Sequence, residues 1–301
     1  MPDPYPTAAG VEAAIKEAAR KATSSDSSLT VDDRIRLECF RRFLSRVFSE
    51  GGDSEWLLKG GTGMLARLPS TRTTLDIDLY RKGFTLDQAL AELRRLAEID
   101  LGDHFRFVYA SHSNSIDGEE QPYTDGYRVA FDVYIGARKK STLHVDLAIG
   151  AGLTAPVTTI KPATALDLPR LVSHDYRLYP VVDQIADKVC ATMATYGDRP
   201  SSREKDLVDL VVLAVTQEVN GSDLAFAITS EARRRSMEPF TTFVAPAAWG
   251  LRYVRMAKSV PYCAEYRTVA KARELMAAFI DPVLSGAASD RTWSPSQRAW
   301  L

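Results

Sequence analysis

The chain has 301 residues, 45% of them hydrophobic and 26% charged, enough apolar material for one large core or two smaller ones. Lys and Arg (38) nearly balance Asp and Glu (39), leaving a net charge of -1 that by itself argues neither for a polyanion-binding chain nor for an acidic one. No apolar run approaches the ~20 residues needed to span a bilayer and the start lacks a signal-peptide layout, so the expected location is the cytoplasm, away from the membrane.

In chain order, residues 10–22 are alanine-rich with apolar positions at helical spacing, and a Ser/Asp-rich break at 23–28 ends that helix. Thr30 or Asp32 is placed to cap a second helix, whose apolar face runs through Ile35, Leu37, Phe40, Phe43, Leu44, Val47 and Phe48 to about Ser49. A short strand at Trp56–Leu58 leads to Lys59-Gly60-Gly61-Thr62. The glycine pair and hydroxyl residue precede an apolar segment (Met64, Leu65, Leu68) that predicts a short helix, and the N–H groups at a helix start are a natural place for phosphate. A turn at Pro69-Ser70 then returns the chain to a strand, Leu75–Tyr80, carrying Asp76 and Asp78. Side chains two apart on a strand share a face, so the two carboxylates converge, and hard oxygen ligands held that close select Mg2+ or a similar ion. Asp-x-Asp alone is common, and a Gly-Gly pair alone is usually a turn; their order and spacing together point to a metal-assisted phosphate site.

A helix is expected at about 86–99, then strands at 104–110, 127–136 and 141–149, with a polar, exposed and mobile loop from Ser111 to Gly126 and a hairpin turn at Gly136–Lys140. Leu143–Ile149 alternates like a half-buried strand and puts Asp146 on one face with His144. Asp146 is a candidate third carboxylate, Asp132 a competing one, and periodicity does not separate them. Residues 151–180 look loop-rich. Helices follow at about 181–195, 203–217, 222–236, 246–258 and 264–281, and the tail after Gly286 is expected to lie loosely on the surface. The three cysteines and four histidines show no metal-ligand or disulfide spacing.

Two helices of the second half carry residues that are expensive to bury. Lys188 sits among Ile185, Val189 and Ala191, while Asp206 and Asp209 lie three apart beside Leu207, Leu210 and Leu213; a Lys188–Asp209 ion pair is an economical explanation, structural or functional. Basic residues also cluster at Arg233–Arg235, at Arg252, Arg255 and Lys258, and at Arg267, Lys271 and Arg273, with Tyr253, Tyr262 and Tyr266 interleaved. These make either a solvated helix face or a grip on a phosphate backbone.

With Gly61-Thr62, Asp76-Ile77-Asp78, the Asp183–Ala191 stretch around Lys188 and Arg203-x-x-Asp206-Leu-Val-Asp209-Leu210 in view, the chain resembles the AbiEii nucleotidyltransferase toxins, including the MenAT-type toxins, of the DNA polymerase beta-like superfamily. The resemblance covers roughly residues 30–215, with Thr62 standing where that family usually has Ser. It implies an α+β fold, a nucleotidyltransferase core with a small mixed sheet and flanking helices over residues 1–175, followed by a mostly helical domain over residues 176–301. It implies that Asp76, Asp78, Lys188 and Asp209 are catalytic, that Gly60, Gly61, Thr62 and Arg72 bind the nucleotide phosphates, and that Asp76, Asp78 and, as a third group, Asp146 hold Mg2+ or Mn2+. The implied reaction moves an NMP from an NTP to RNA, foremost the 3′ end of tRNA, blocking translation; transfer to a protein or small molecule, or a non-catalytic binding role, stays open. The implied partner is a cognate AbiEi-type antitoxin. In some relatives a hydroxyl residue two before the first aspartate is phosphorylated, and Thr74 holds that place.

Overall fold

The computed structural model describes the chain except residues 1–2, 70–71, 115–125, 151, 164 and 197–198. The chain divides into two units, Met1–Gly152 with Thr158–Leu178, and Leu153–Val157 with Tyr179–Leu301. The short Leu153–Val157 segment groups with the second unit, a long-range association that local composition does not carry.

The first unit opens with α1 (Ala8–Ser25) and α2 (Val31–Val47). Thr30 rather than Asp32 caps α2, in a reciprocal box with Asp33. Then come β1 (Trp56–Lys59), α3 (Gly60–Arg67), β2 (Ile77–Lys82), α4 (Leu86–Ala97), β3 (Phe105–Ser113), β4 (Gly126–Ile135), β5 (Arg138–Gly150), β6 (Thr158–Ile160) and β7 (Tyr176–Leu178). The strands form one mixed sheet in the order β3-β4-β5-β2-β1-β7-β6, parallel at β2/β5 and β1/β7 and antiparallel elsewhere. The sheet is larger than expected because the 151–180 stretch, read as loop, supplies β6 and β7, three-residue strands too short to show a period. β3 runs on through Ser111–Ser113, the start of the expected loop; residues 115–125 of that loop, and Ser70 of the expected Pro69-Ser70 turn, lie outside the described residues.

Alternation along the strands separates two faces. Ile77, Leu79, Val129, Phe131, Val133, Val145 and Leu147 are fully buried together with Phe43 and Val47 of α2 and Leu93 of α4. Phe43 meets the rings of Phe107 and Phe131 at 5.2 and 5.1 Å between centroids, and burying an aromatic of this kind contributes roughly 1.5–3 kcal/mol. With this face committed to the core, the intervening positions, including Asp78, Arg128 and Asp146, are turned to the opposite side of the sheet.

The second unit contains α5 (Val181–Met193), a small hairpin of β8 (Thr195–Tyr196) and β9 (Arg199–Pro200), α6 (Glu204–Thr216), β10 (Val219–Asn220), α7 (Gly221–Arg234), α8 (Leu251–Lys258), α9 (Val269–Leu284), β11 (Thr292–Ser294) and β12 (Ala299–Trp300). α6 is its central helix, buried at every position from Asp206 to Ala214. The tail is not loose. β11 and β12 join β10 in a small sheet, Trp293 is fully buried and donates its indole N–H to the Ala214 carbonyl at 2.7 Å, and Trp300 donates to the Phe279 carbonyl at 3.1 Å. Tryptophan rings with satisfied N–H groups hold down a segment whose polar composition suggested otherwise. Among the described residues no helix is long and apolar enough to cross a membrane.

Candidate active site

β1 ends at Lys59, which pairs with Asp78 across the antiparallel β1/β2 ladder, and the chain turns at Gly60 straight into α3. Gly60 has φ +60°, and a Cβ built on it would lie 1.8 Å from Asp78 Oδ2, so only glycine fits this close approach. A Cβ on Gly61 would lie 2.9 Å from Thr74 Oγ1 and 3.4 Å from Arg72 Nη1. Two successive glycines therefore let the start of α3, the segment bearing Arg72 and Thr74, and the Asp78 carboxylate crowd into one place. N–H groups of a first helical turn point out along the axis and attract anions.

Hydroxyl groups lock the segment before β2. Thr62, nearly buried, donates to the Asp76 carbonyl at 2.7 Å, and Thr74, also buried, donates to Asp76 Oδ1 at 3.0 Å. The Thr62 hydroxyl, expected to cradle phosphate, is in this conformation a brace on the backbone of the first aspartate.

Asp78 pairs with Asp146 across the parallel β2/β5 ladder, and Asp146 pairs with Arg128 across the antiparallel β4/β5 ladder. Asp146 is 3% exposed. Arg128 Nη1 donates to Asp146 Oδ1 at 3.0 Å and to Oδ2 at 3.2 Å, and its Nη2 stands 3.8 Å from Asp76 Oδ2. Asp146 and Asp76 thus share one guanidinium that sequence reasoning missed. Asp132 lies elsewhere: it is opposite Thr142 near the hairpin end, where the Lys139 ammonium at 2.8 Å and the Thr142 hydroxyl hold its pKa below the usual carboxylate range. The donor set at Asp76 and Asp78 is all carboxylate oxygen, which suits Mg2+ or Mn2+. Among the described residues no group of three or more His, Cys, Asp or Glu side chains is disposed to hold a metal ion.

In the second unit, α5 carries Lys188 and α6 carries Asp206 and Asp209. Lys188 Nζ donates to Asp209 Oδ2 at 2.7 Å and to Asp206 Oδ1 at 3.0 Å, and Arg203 Nε donates to Asp206 Oδ2 at 2.6 Å. Lys188, Asp206 and Asp209 are all buried, and the ion pair expected from helix spacing is present, with Asp206 as a second partner. Burial by itself pushes the Asp206 pKa up, but the charges of Lys188 and Arg203 outweigh it and the carboxyl titrates far below its ordinary value. The expected Arg/Tyr surface is only partly a surface: Tyr253 is fully buried and donates to the Tyr266 carbonyl at 2.7 Å, and Arg235 is enclosed by Glu231 and Asp187. Arg233, Arg252, Arg255, Lys258, Arg267, Lys271 and Arg273 are exposed.

Residues 42–278 match the model of the nucleotidyl transferase AbiEii toxin family of type IV toxin–antitoxin systems. The chain belongs to that family of nucleotidyltransferase toxins. Two solved structures from Helicobacter pylori are similar: JHP933, at 16% identity and TM-score 0.44, covering 86% of this chain and 96% of that one, and a protein described as a candidate nucleotidyltransferase, at 17% and 0.45, covering 86% and 99%. No curated protein matches.

Proposed function

We propose that this chain transfers an NMP from an NTP to an RNA hydroxyl, foremost the 3′ end of tRNA, with release of pyrophosphate, and that the modified tRNA halts translation. The observation that carries the reading is the Gly60 turn packed against the Asp78 carboxylate with Asp76 two residues before it, since phosphoryl transfer asks for a phosphate cradle and a carboxylate pair held in one rigid place rather than for a covalent nucleophile. Asp76 and Asp78 would hold Mg2+ or Mn2+, which when bound supplies Lewis-acid polarisation and charge neutralisation at the transferred phosphoryl group. Gly60 and Gly61 present backbone N–H groups to the phosphates, and Arg72, beside Gly61, adds a charged donor. Thr62 and Thr74 keep the Asp76 backbone and carboxylate in position. Lys188 and Asp209 are proposed as the further pair the transfer requires, the ammonium offsetting charge on the leaving pyrophosphate.

The family implies an antitoxin partner, of AbiEi type in this proposal. Thr74 is proposed as a regulatory phosphorylation site: a phosphate there would replace the hydrogen bond to Asp76 Oδ1 with like-charge repulsion. An unchanged intact mass after co-expression with the antitoxin would refute that point. The transfer itself is tested by incubating the purified protein with each labelled NTP, divalent cation and total tRNA. Label on the tRNA 3′ end is expected; label on protein or on small molecules alone would replace the RNA acceptor with another.

A further inference from the structure

Lys59 is the last residue of β1 and the one from which α3 starts. Its backbone is extended, with φ -121° and ψ -165°, so strand alternation still holds there: Leu58, 1% exposed, points into the core and Lys59 points to the other side of the sheet. Lys59 lies directly opposite Asp78 in the β1/β2 ladder, and side chains paired in this way stand next to each other, with Cβ atoms roughly 4.5–5.5 Å apart. The next two residues are Gly60 and Gly61, which have no side chains to separate Lys59 from the first N–H groups of α3.

Lys59 is half-buried, yet among the described residues its ammonium has neither a hydrogen bond nor an ion pair, and it does not cap α3. Other cations of the chain are engaged by protein groups. Arg81, at the opposite end of the same ladder, pairs with Glu55 at 3.0 Å and lies over the Trp56 and Phe84 rings; Lys188, in the second unit, is held by Asp206 and Asp209. β1 is also an inner strand, between β2 and β7, so a charge at its end does not serve to guard an open sheet edge. A lysine drawn partly out of water with no protein partner is free to take an anion from solution.

We infer that Lys59 is a phosphate-binding residue, its ammonium contacting the nucleotide phosphates beside the Gly60–Gly61 turn and adding a full positive charge to a cradle of backbone N–H groups. The inference rests on the proposed reading of that turn as the triphosphate site and adds to it a side chain that sets NTP affinity. A lysine suits the place, because a compact charge on a flexible four-carbon stem follows a phosphate without demanding one geometry. Beside Asp78 it also weakens the repulsion between that carboxylate and an arriving phosphate.

The test is calorimetric titration of the full chain, in Mg2+, with inorganic triphosphate and with each of the four NTPs, for the native protein, Lys59→Gln, Lys59→Met and Lys59→Arg. Losing a hydrogen bond between charged groups corresponds to about 10–100-fold in affinity, and Lys59→Gln is expected to bind triphosphate and NTP at least about tenfold more weakly, a loss that appears in KM for the NTP in the transfer assay. Lys59→Met, which keeps the apolar stem, gives the same loss and serves if the Gln variant does not fold. Lys59→Arg, which keeps the charge, recovers most of the affinity. A Lys59 that only neutralises Asp78 would lower the melting temperature of the Gln and Met variants and leave triphosphate affinity at the native value; that result overturns the inference while the cradle stands. A native chain that binds neither triphosphate nor any NTP overturns the reading of the turn and the inference with it.

Discussion

Gly60 is the residue where local backbone chemistry and the site meet. Its positive φ favours glycine and its missing side chain makes room for Asp78 Oδ2. Gly60→Ala adds strain at a left-handed position, about 1–3 kcal/mol, and drives a methyl group into the carboxylate. Its expected outcome is a lower melting temperature together with loss of nucleotidyl transfer, read by calorimetry and by the labelled-NTP assay. Asp76→Asn and Asp78→Asn are milder in volume and are expected to fold; each lowers transfer about 10²–10³-fold, the scale of removing one well-placed electrostatic group. A variant that folds and retains native transfer would show that the pair is not the catalytic centre. The Thr62 hydroxyl bonds the Asp76 carbonyl, so Thr62→Val is predicted to loosen the pre-β2 segment and lower the melting temperature.

At the scale of elements, α5 and α6 are joined by buried charge. Lys188→Met leaves Asp206 and Asp209 buried without their shared ammonium, and removing one partner of a buried pair costs about 3–5 kcal/mol. Chemical denaturation measures that loss, and the transfer assay on protein still folded separates a structural role from a catalytic one. The pH dependence has a definite sign. Asp206 has a folded pKa below its unfolded value of 3.8, so its contribution is fully present above that value and is lost as pH falls toward the folded pKa. Stability is therefore flat with respect to Asp206 near neutrality and falls below about pH 4, less steeply in Asp206→Asn; denaturation midpoints at neutral and acid pH decide it. The β4/β5 hairpin is the other element that matters. Pairing begins at Ile135 with Arg138 and shifts by one between Val133 and Tyr134. Without that shift Arg128 would face Val145, and with it Arg128 faces Asp146.

At the scale of the whole molecule, the balanced charge hides a local surplus. Arg255 and Lys258 on α8 are exposed, with Arg267, Lys271 and Arg273 following in the chain. If these residues contact the RNA backbone, Arg255→Glu with Lys258→Glu weakens RNA binding similarly for all sequences. It also lowers the slope of log affinity against log salt by about 1 per residue, without changing NTP binding. An unchanged salt slope would return this stretch to the role of a solvated helix face. The two units differ in what their sequences revealed. The first unit's helices and long strands are legible from period and capping, whereas β6, β7, β10 and the tail strands β11 and β12 are too short to carry a period and exist only because partners elsewhere in the chain pair with them.

The sequence alone determined the family, the glycine turn before paired aspartates, and the Lys188–Asp209 pairing, because each depends on spacing within a single element or between neighbouring helices. Tertiary structure decided what surrounds those residues. It showed Thr62 bracing Asp76, Asp206 sharing Lys188, Trp293 sealing the tail, and Arg128 facing Asp146. The physical reason is that a strand's face depends on register, and one bulge of a single residue, invisible in composition and period, turns every side chain beyond it to the other side.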